Sequence, residues 1–225
     1  ELGDGSTTLR KTPVQIVQGV SSITAGSFRS MFIKTDGTLW AMGTNSYGNL
    51  GLGALVSSAV PIQIATNVSQ VVAGIGGAHT HFVKQDGSLW AMGNNSLGAL
   101  GEGPATSILT PIKVATDVAL VASGGDHSLF IKTDGSLWAT GTNNSGELGD
   151  GSTTIRFAPV KVAENVVKIA QGSRHSLFIV SDRVTRLAVG CDSVFARAAG
   201  ARWSPDGGIT WYDTDAMPAL SPGNS

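Results

Sequence analysis

Three histidines, His79, His127 and His175, stand at matched positions 48 residues apart, each ahead of a Ser or Thr and a short apolar run. Imidazole is a common metal ligand, so a triplet in fixed spacing raises metal chemistry first. The spacing argues otherwise. There is one imidazole per repeat and no carboxylate or cysteine fixed beside it in each copy, so the expected role is a repeated histidine bonding backbone at a strand start, and no metal site is read. His81 replaces an apolar residue in its strand and is read as incidental. The stretches GTNSYGNLG from Gly43, GNNSLGALG from Gly93 and GTNNSGELG from Gly141 suggest phosphate-cradling loops. No basic residue or helix start follows them as a phosphate loop requires, and no cofactor is implied. The residues therefore point to binding and not to catalysis.

These side chains recur because the chain repeats. One complete unit runs from Val118 to Ala163, Val68 to Ala115 follows the same plan, and Trp40, Trp90 and Trp138 recur 50 and 48 residues apart. A period near fifty with strand-like segments inside it points to a propeller or solenoid. Each unit holds four strand candidates. The first is Val-led and ends in Gly: Val20 to Gly26, Val68 to Gly74, Val118 to Gly124 and Val166 to Gly172. The second is MFIKT from Met31, HFVKQ from His81, LFIKT from Leu129 and LFIVS from Leu177, with apolar residues on both parities, as suits a sheet packed on both faces. The third carries the tryptophan. The fourth is expected to start with proline, at Pro13, Pro61, Pro111 and Pro159, and to lie on the outer edge, where a missing N–H is tolerated. Asp36-Gly37, Asp86-Gly87 and Asp134-Gly135 predict tight two-residue hairpin turns between second and third strands. Glycine and asparagine in the loop after the third strand are expected to supply left-handed backbone.

Composition narrows the function classes. With 15 Lys and Arg against 16 Asp and Glu, net charge −1 and only 14% charged residues, the chain has no electrostatic footprint for nucleic acid or membrane phosphates. The single cysteine, Cys191, excludes an internal disulfide framework. No apolar run approaches the roughly 18 residues of a membrane span, and no signal peptide is visible. Residues 1–8, ELGDGSTT, are identical to residues 147–154, so the chain is read as opening partway through a repeat and as a piece of a longer protein. From about Arg183 the pattern decays, RLAVG at Arg186 to Gly190 being a degenerate third strand with Leu187 where a tryptophan is expected.

The constellation G-x-x-H-[ST]-(x)-F-[IV]-K-x-D-G-S-L-W-A-x-G-x-N-x-x-G-x-L-G resembles the regulator of chromosome condensation repeat family, from Glu1 to about Asp182. The resemblance implies an all-β fold, a β-propeller of four-stranded antiparallel blades. About three full blades and one partial blade are expected here, as a partial ring or a fragment of a seven-bladed propeller. The orphan strand Pro13–Val17 would supply what the last blade lacks, or both are cut ends. Open blade edges are expected to invite self-association. In the tail, Ser204, Asp206, Gly208, Thr210 and Trp211 fit S-x-D-x-G-x-T-W, which looks like the Asp-box hairpin of sialidase-type propellers, a structural turn. Two segments follow: repeats over 1–182, and a divergent tail with the Asp-box over 183–225.

In relatives, partner contacts come from the loop between first and second strands, near the central axis. Here that loop reads GSFRS, GIGGAHT, GGDHS and GSRHS, and the contact residues it implies are Phe28, Arg29, His79, Asp126, His127, Arg174 and His175. The structural residues are Trp40, Trp90 and Trp138, expected in blade-to-blade packing, with Asp206, Gly208 and Trp211 in the Asp-box. The resulting expectation is a non-enzymatic scaffold that binds another protein. The alternatives are guanine nucleotide exchange on a small GTPase, for which Asp126 and His127 match but no inserted β-wedge has room, and carbohydrate binding or processing through a longer Asp-box domain. For the latter, Asp206 belongs to the turn, and Asp213 and Asp215 follow in a polar stretch. The repeat style is more similar to bacterial secreted or envelope members than to nuclear ones.

Overall fold

The chain is represented by a computed structural model that describes residues 1–76, 78–181, 185–190, 202–203 and 212–213. The repeats fold as consecutive antiparallel sheets. The first blade is β1 (Val20–Gly26), β2 (Arg29–Lys34), β3 (Leu39–Gly43) and β4 (Ser58–Ala65). The second is β5 (Val68–Ala73), β6 (His79–Lys84), β7 (Leu89–Asn94) and β8 (Ser107–Ala115); the third is β9 (Val118–Ser123), β10 (His127–Lys132), β11 (Leu137–Gly141) and β12 (Arg156–Ala163). A fourth sheet holds β13 (Val166–Gln171), β14 (Ser176–Ser181) and β15 (Thr185–Gly190), past the point where the composition changes. A two-stranded pairing of β16 (Arg202–Trp203) with β17 (Tyr212–Asp213) follows. Asp206, Gly208 and Trp211 lie outside the described residues, so the Asp-box reading does too. The architecture is a partial propeller, and among the described residues no helix is long and apolar enough to cross a membrane.

Strands within each blade follow chain order, which leaves the fourth strand at the edge, as its proline demands. The proline does not start that strand, however. Pro61, Pro111 and Pro159 fall inside β4, β8 and β12, where the register slips between Ala41 and Gly43, Ala91 and Gly93, and Ala139 and Gly141. A bulge takes up the residue that cannot donate to the ladder. The Asp-Gly turns also differ from a two-residue hairpin. Lys34 N–H donates to the Thr38 carbonyl at 2.9 Å and Gly37 N–H to the Lys34 carbonyl at 2.9 Å, with only Gly37 at positive φ, 78°. This is a three-residue loop ending in a left-handed glycine, and it suits a following bulged pair. Pro13–Val17 forms no strand. In the fourth sheet Phe178 pairs with Ala188, so Ala188 and not Leu187 holds the register position of the tryptophans.

The core lies between blades. Met31, Ile33 and Leu39 of one blade pack against Val68, Val71 and Phe82 of the next. The same set recurs as Val83 and Leu89 against Val118, Val121 and Phe130, and as Leu129, Ile131 and Leu137 against Val166 and Phe178. β6 and β10 are thus apolar on both faces because a neighbouring blade covers each side. Consecutive blades join through a single left-handed residue, Asn67, Asp117 or Asn165, with φ of 57°, 60° and 57°. Asn45, Asn95 and Asn143, by contrast, are not left-handed. They are buried, and each carboxamide braces its loop; Asn45 Oδ1 accepts from Leu50 N–H at 2.8 Å while its Nδ2 donates to the Ala54 carbonyl at 2.7 Å.

Candidate functional site

Each loop between first and second strands begins with a glycine at or just after the end of the first strand, and a side chain at or just before the start of the second strand lies over it. A Cβ on Gly74 would sit 2.6 Å from His79 Cε1 and 2.9 Å from the Gly124 carbonyl oxygen. Gly26 stands in the same way against Arg29, Gly124 against His127, and Gly172 against His175. Glycine is required there because the imidazole or guanidinium fills the space of a side chain.

From that seat the side chain crosses to the next blade. Arg29 Nη2 donates to the His79 carbonyl at 2.5 Å. His79 Nε2 lies 3.2 Å from Ser128 Oγ, and His127 Nε2 lies 3.1 Å from Ser176 Oγ, which donates to the Glu147 carbonyl at 2.7 Å. The histidines therefore pair mainly with hydroxyls of the neighbouring blade, where the sequence suggested backbone of a strand start. His81 is part of the same interior: it is buried, its Nδ1 is 3.1 Å from Ser123 Oγ, and its ring meets His79 edge-on at 5.6 Å. Reading it as incidental is corrected.

Burial sets the charges of this row. It holds His79 well below the usual imidazole range, with His81, Arg29 and His127 adding repulsion. Burial also lowers His81 to about 4, against a hydrogen bond to the backbone of Leu100. His127 is lowered to about 4 by burial, against the Glu147 carboxylate and the His175 backbone, which favour the cation. Arg29 falls to about 10 through burial alone. At neutral pH the imidazoles are uncharged, and each can serve one hydroxyl as donor or acceptor. Among the described residues no group of three or more His, Cys, Asp or Glu could hold a metal ion.

Seven loop residues were expected at a partner surface, and the structure divides them. Arg29, His79 and His127 are buried and each bonds to the next blade, so they cannot present themselves to a partner. This corrects the expectation for those three. Phe28 is 64% exposed, Arg174 is exposed, and Asp126 and His175 are half-buried. Desolvation raises the Asp126 carboxyl, and the charge of Arg174 opposes the rise. The loops of the third and fourth blades are tied directly, Gly125 N–H donating to the Ser173 carbonyl at 3.1 Å. One surface residue escaped the sequence reading: Ile75, 55% exposed in the second blade's loop. The signal was the greater length of GIGGAHT, which lifts an apolar residue ahead of the histidine.

The other end of the second strand carries a second repeated cluster. Asp134 Oδ1 accepts from Ser136 N–H at 2.8 Å and Oγ at 2.6 Å, and Trp138 Nε1 donates to Ser136 Oγ at 2.9 Å. Phe130 lies parallel to Trp138 with ring centres 6.5 Å apart, and Lys132 Nζ is 5.3 Å above the indole. Trp40, Trp90 and Trp138 are half-buried and pack within their own hairpins, and Trp90 and Trp138 also border the core between blades. Beside Trp90 and Trp138 run shallow grooves of about 460 and 490 Å³, but a lysine already covers each indole.

The sequence pattern described as "Regulator of chromosome condensation (RCC1) repeat" matches residues 36–83, 86–131 and 134–179. A second pattern with the same description matches residues 20–49 and 118–147. No curated protein matches the chain by sequence. Among solved structures, human WBSCR16 superposes with a TM-score of 0.69 at 20% identity, covering 85% of this chain and 55% of that one. Prp20p from Saccharomyces cerevisiae, described with its binding to Gsp1p and histones, gives 0.65 at 20% identity over 81% of this chain and 47% of that one. Yeast RCC1 (Prp20) bound by Kap60 gives 0.64 at 20% identity over 76% and 43%. The chain spans about half the length of the solved structures it matches.

Proposed function

The chain belongs to the regulator of chromosome condensation (RCC1) repeat family, and from that premise we propose that it is a non-enzymatic scaffold binding another protein through its first-to-second-strand loops. The observation that carries this reading is the pairing of exposed apolar side chains, Phe28 and Ile75, with a loop base fixed by buried contacts between blades. Rigid apolar anchors lose little entropy on binding, and aromatic anchors dominate interface energies. Asp126, Arg174 and His175 add a charged and polar margin on the third and fourth blades. Arg29, His79 and His127 act from behind by setting the loops. A bacterial, secreted or envelope setting and a separate Asp-box module after residue 182 belong to the same proposal.

The test compares capture by the wild-type chain with capture by a Phe28→Ala/Ile75→Ser double variant and by Lys161→Ala, a change at the exposed outer strand. A protein held by the wild type and by Lys161→Ala, and lost on the double variant, fits the proposal. Equal retention on all three baits sinks it. The second reading is nucleotide exchange, favoured by the likeness to Prp20p, a protein described with binding to Gsp1p. Accelerated nucleotide release from a small GTPase would put that reading in place of the scaffold.

A further inference from the structure

At its loop end each second strand carries two matched positions, two residues apart. The first holds Arg29, His79, His127 or His175. The second is apolar in three blades, where Met31, Leu129 and Leu177 stand opposite Thr24, Ala122 and Ala170 of their first strands. In the second blade that place, opposite Val72, holds His81. The third blade has changed to suit it. Ser123 lies 3.1 Å from His81 Nδ1 and stands where the first and second blades have Ala25 and Ala73. The junction of second and third blades is thus fastened by two of these side chains, His79 on Ser128 and His81 on Ser123, where the other junctions use one.

The two rings meet edge-on at 5.6 Å and each residue is 1% exposed. Neither ring is placed to take a second proton. His79 Nε2 faces Ser128 Oγ and its Nδ1 has no hydrogen-bond partner, so a proton added there is a buried N–H without an acceptor. His81 meets the Ser123 hydroxyl at Nδ1 and also bonds the Leu100 backbone, so a second proton forces Ser123 to turn from donor to acceptor. The charges around the pair oppose it too. β2 brings Arg29 and β10 brings His127; β5, β7, β9 and residues 94–101 bring no ionisable side chain, and the first blade's loop over Thr80 brings only the exposed Tyr47. Among the described residues no carboxylate acts on either ring, whereas His127 has Glu147 beside it. Two protonated rings would stand as like charges in a dry interior.

We infer that the loop end of the junction between second and third blades is an acid-opened latch. Protonation of the His79–His81 pair parts it from Ser128 and Ser123 and frees the loop that carries Ile75, while the turn end of the same two blades stays closed. The opened latch returns both imidazoles to water, where they bind protons more readily, so falling pH favours it. The turn end has no such response. None of the four histidines lies there, and its contacts of Val83 and Leu89 with Val118 and Val121 do not titrate. The latch is a property of this chain alone and does not rest on the proposed function; where that function holds, acid loosens one of its two apolar anchors.

The experiment is amide hydrogen exchange resolved by residue with NMR, at pH 7, 6 and 5, with each rate corrected for the intrinsic effect of pH on exchange. Gly74 N–H donates to the His79 carbonyl at 3.0 Å and Asn94 N–H to the Ala78 carbonyl at 2.8 Å, so both report on the latch. Lys84 N–H, bonded to the Ser88 carbonyl at 2.9 Å, reports on the turn end of the same blade. Between pH 7 and 5 the wild type should lose roughly 100-fold in protection at Gly74 and Asn94, and little at Lys84. The double variant His81→Leu/Ser123→Ala gives this junction residues of the types found at Leu129 and Ala73, and its loss should be roughly tenfold smaller. His81→Gln, which keeps a hydrogen-bonding side chain but does not titrate, gives the same comparison if the double variant fails to fold. Loss of equal size at Gly74 and Lys84 would mean that the whole blade unfolds, and overturns the inference. So does a wild type with no loss at Gly74 by pH 5, or a folded variant that loses as much as the wild type.

Discussion

The second strand of each blade has a different kind of chemistry at each end. At its loop end, Arg29, His79 and His127 leave their own sheet and bond to the next blade, across 49 or 50 residues of sequence. At its turn end, Asp, Ser or Thr, and Trp bond at a separation of two residues, within one hairpin. The turn end builds a blade and the loop end builds the arc. Because the loop-end groups are buried and the turn-end groups are half-buried or exposed, the same number of hydrogen bonds should matter more at the loop end.

Acid should separate the two ends most strongly. His79, His81 and His127 have folded pKa values below the unfolded one, so the unfolded chain binds protons more readily, and stability is fully present only above about 6.5. It falls as pH drops through the window down to about 4, by on the order of 3 kcal/mol for each of His81 and His127. Urea denaturation at pH 7, 5.5 and 4.5 should show this fall; a flat profile over that range would mean the imidazoles are not held neutral. Next in size is Gly124→Ala, which drives a methyl into His127 and to 2.7 Å from the Gly172 carbonyl oxygen. It should cost about 3 kcal/mol, whereas Gly146→Ala, at positive φ but with open space around it, should cost about 1 kcal/mol. Equal costs by thermal unfolding would erase the distinction between a glycine kept for space and one kept for its backbone. The turn end should respond less than the loop end. Trp90→Ala should cost about 2 kcal/mol, below the roughly 3–5 of a fully buried tryptophan, and a larger measured loss would move the turn end into the core.

The same division explains what could be read before the structure. Strand order, edge placement and blade type follow from contacts at short separation: the unbroken apolar run in β10, the Asp-Gly turns, the proline that cannot serve an interior strand. Where a neighbour strand decides the outcome, local reading fails. The bulge that carries Pro61 depends on how β3 pairs, and the place of Ala188 opposite Phe178 depends on how β15 pairs with β14. The position of the loop between first and second strands is legible in the chain, but the direction of its side chains is not. Nothing local tells that His127 faces Ser176 while Asp126 stays half-exposed. The clue was in register across repeats, a glycine before each such side chain and a hydroxyl after it.

The single left-handed residue between blades has a consequence for how such a chain changes over generations. Asn67, Asp117 and Asn165 make one and the same joint, at intervals of 50 and 48 residues. Unequal recombination between copies of the underlying gene segment, with crossovers at these points, would add or delete a whole blade and leave every remaining joint as it was. The molecule's length is therefore open to inheritance in whole-number steps, and a gain or loss of one blade is a smaller disturbance to it than the insertion of a few residues inside one.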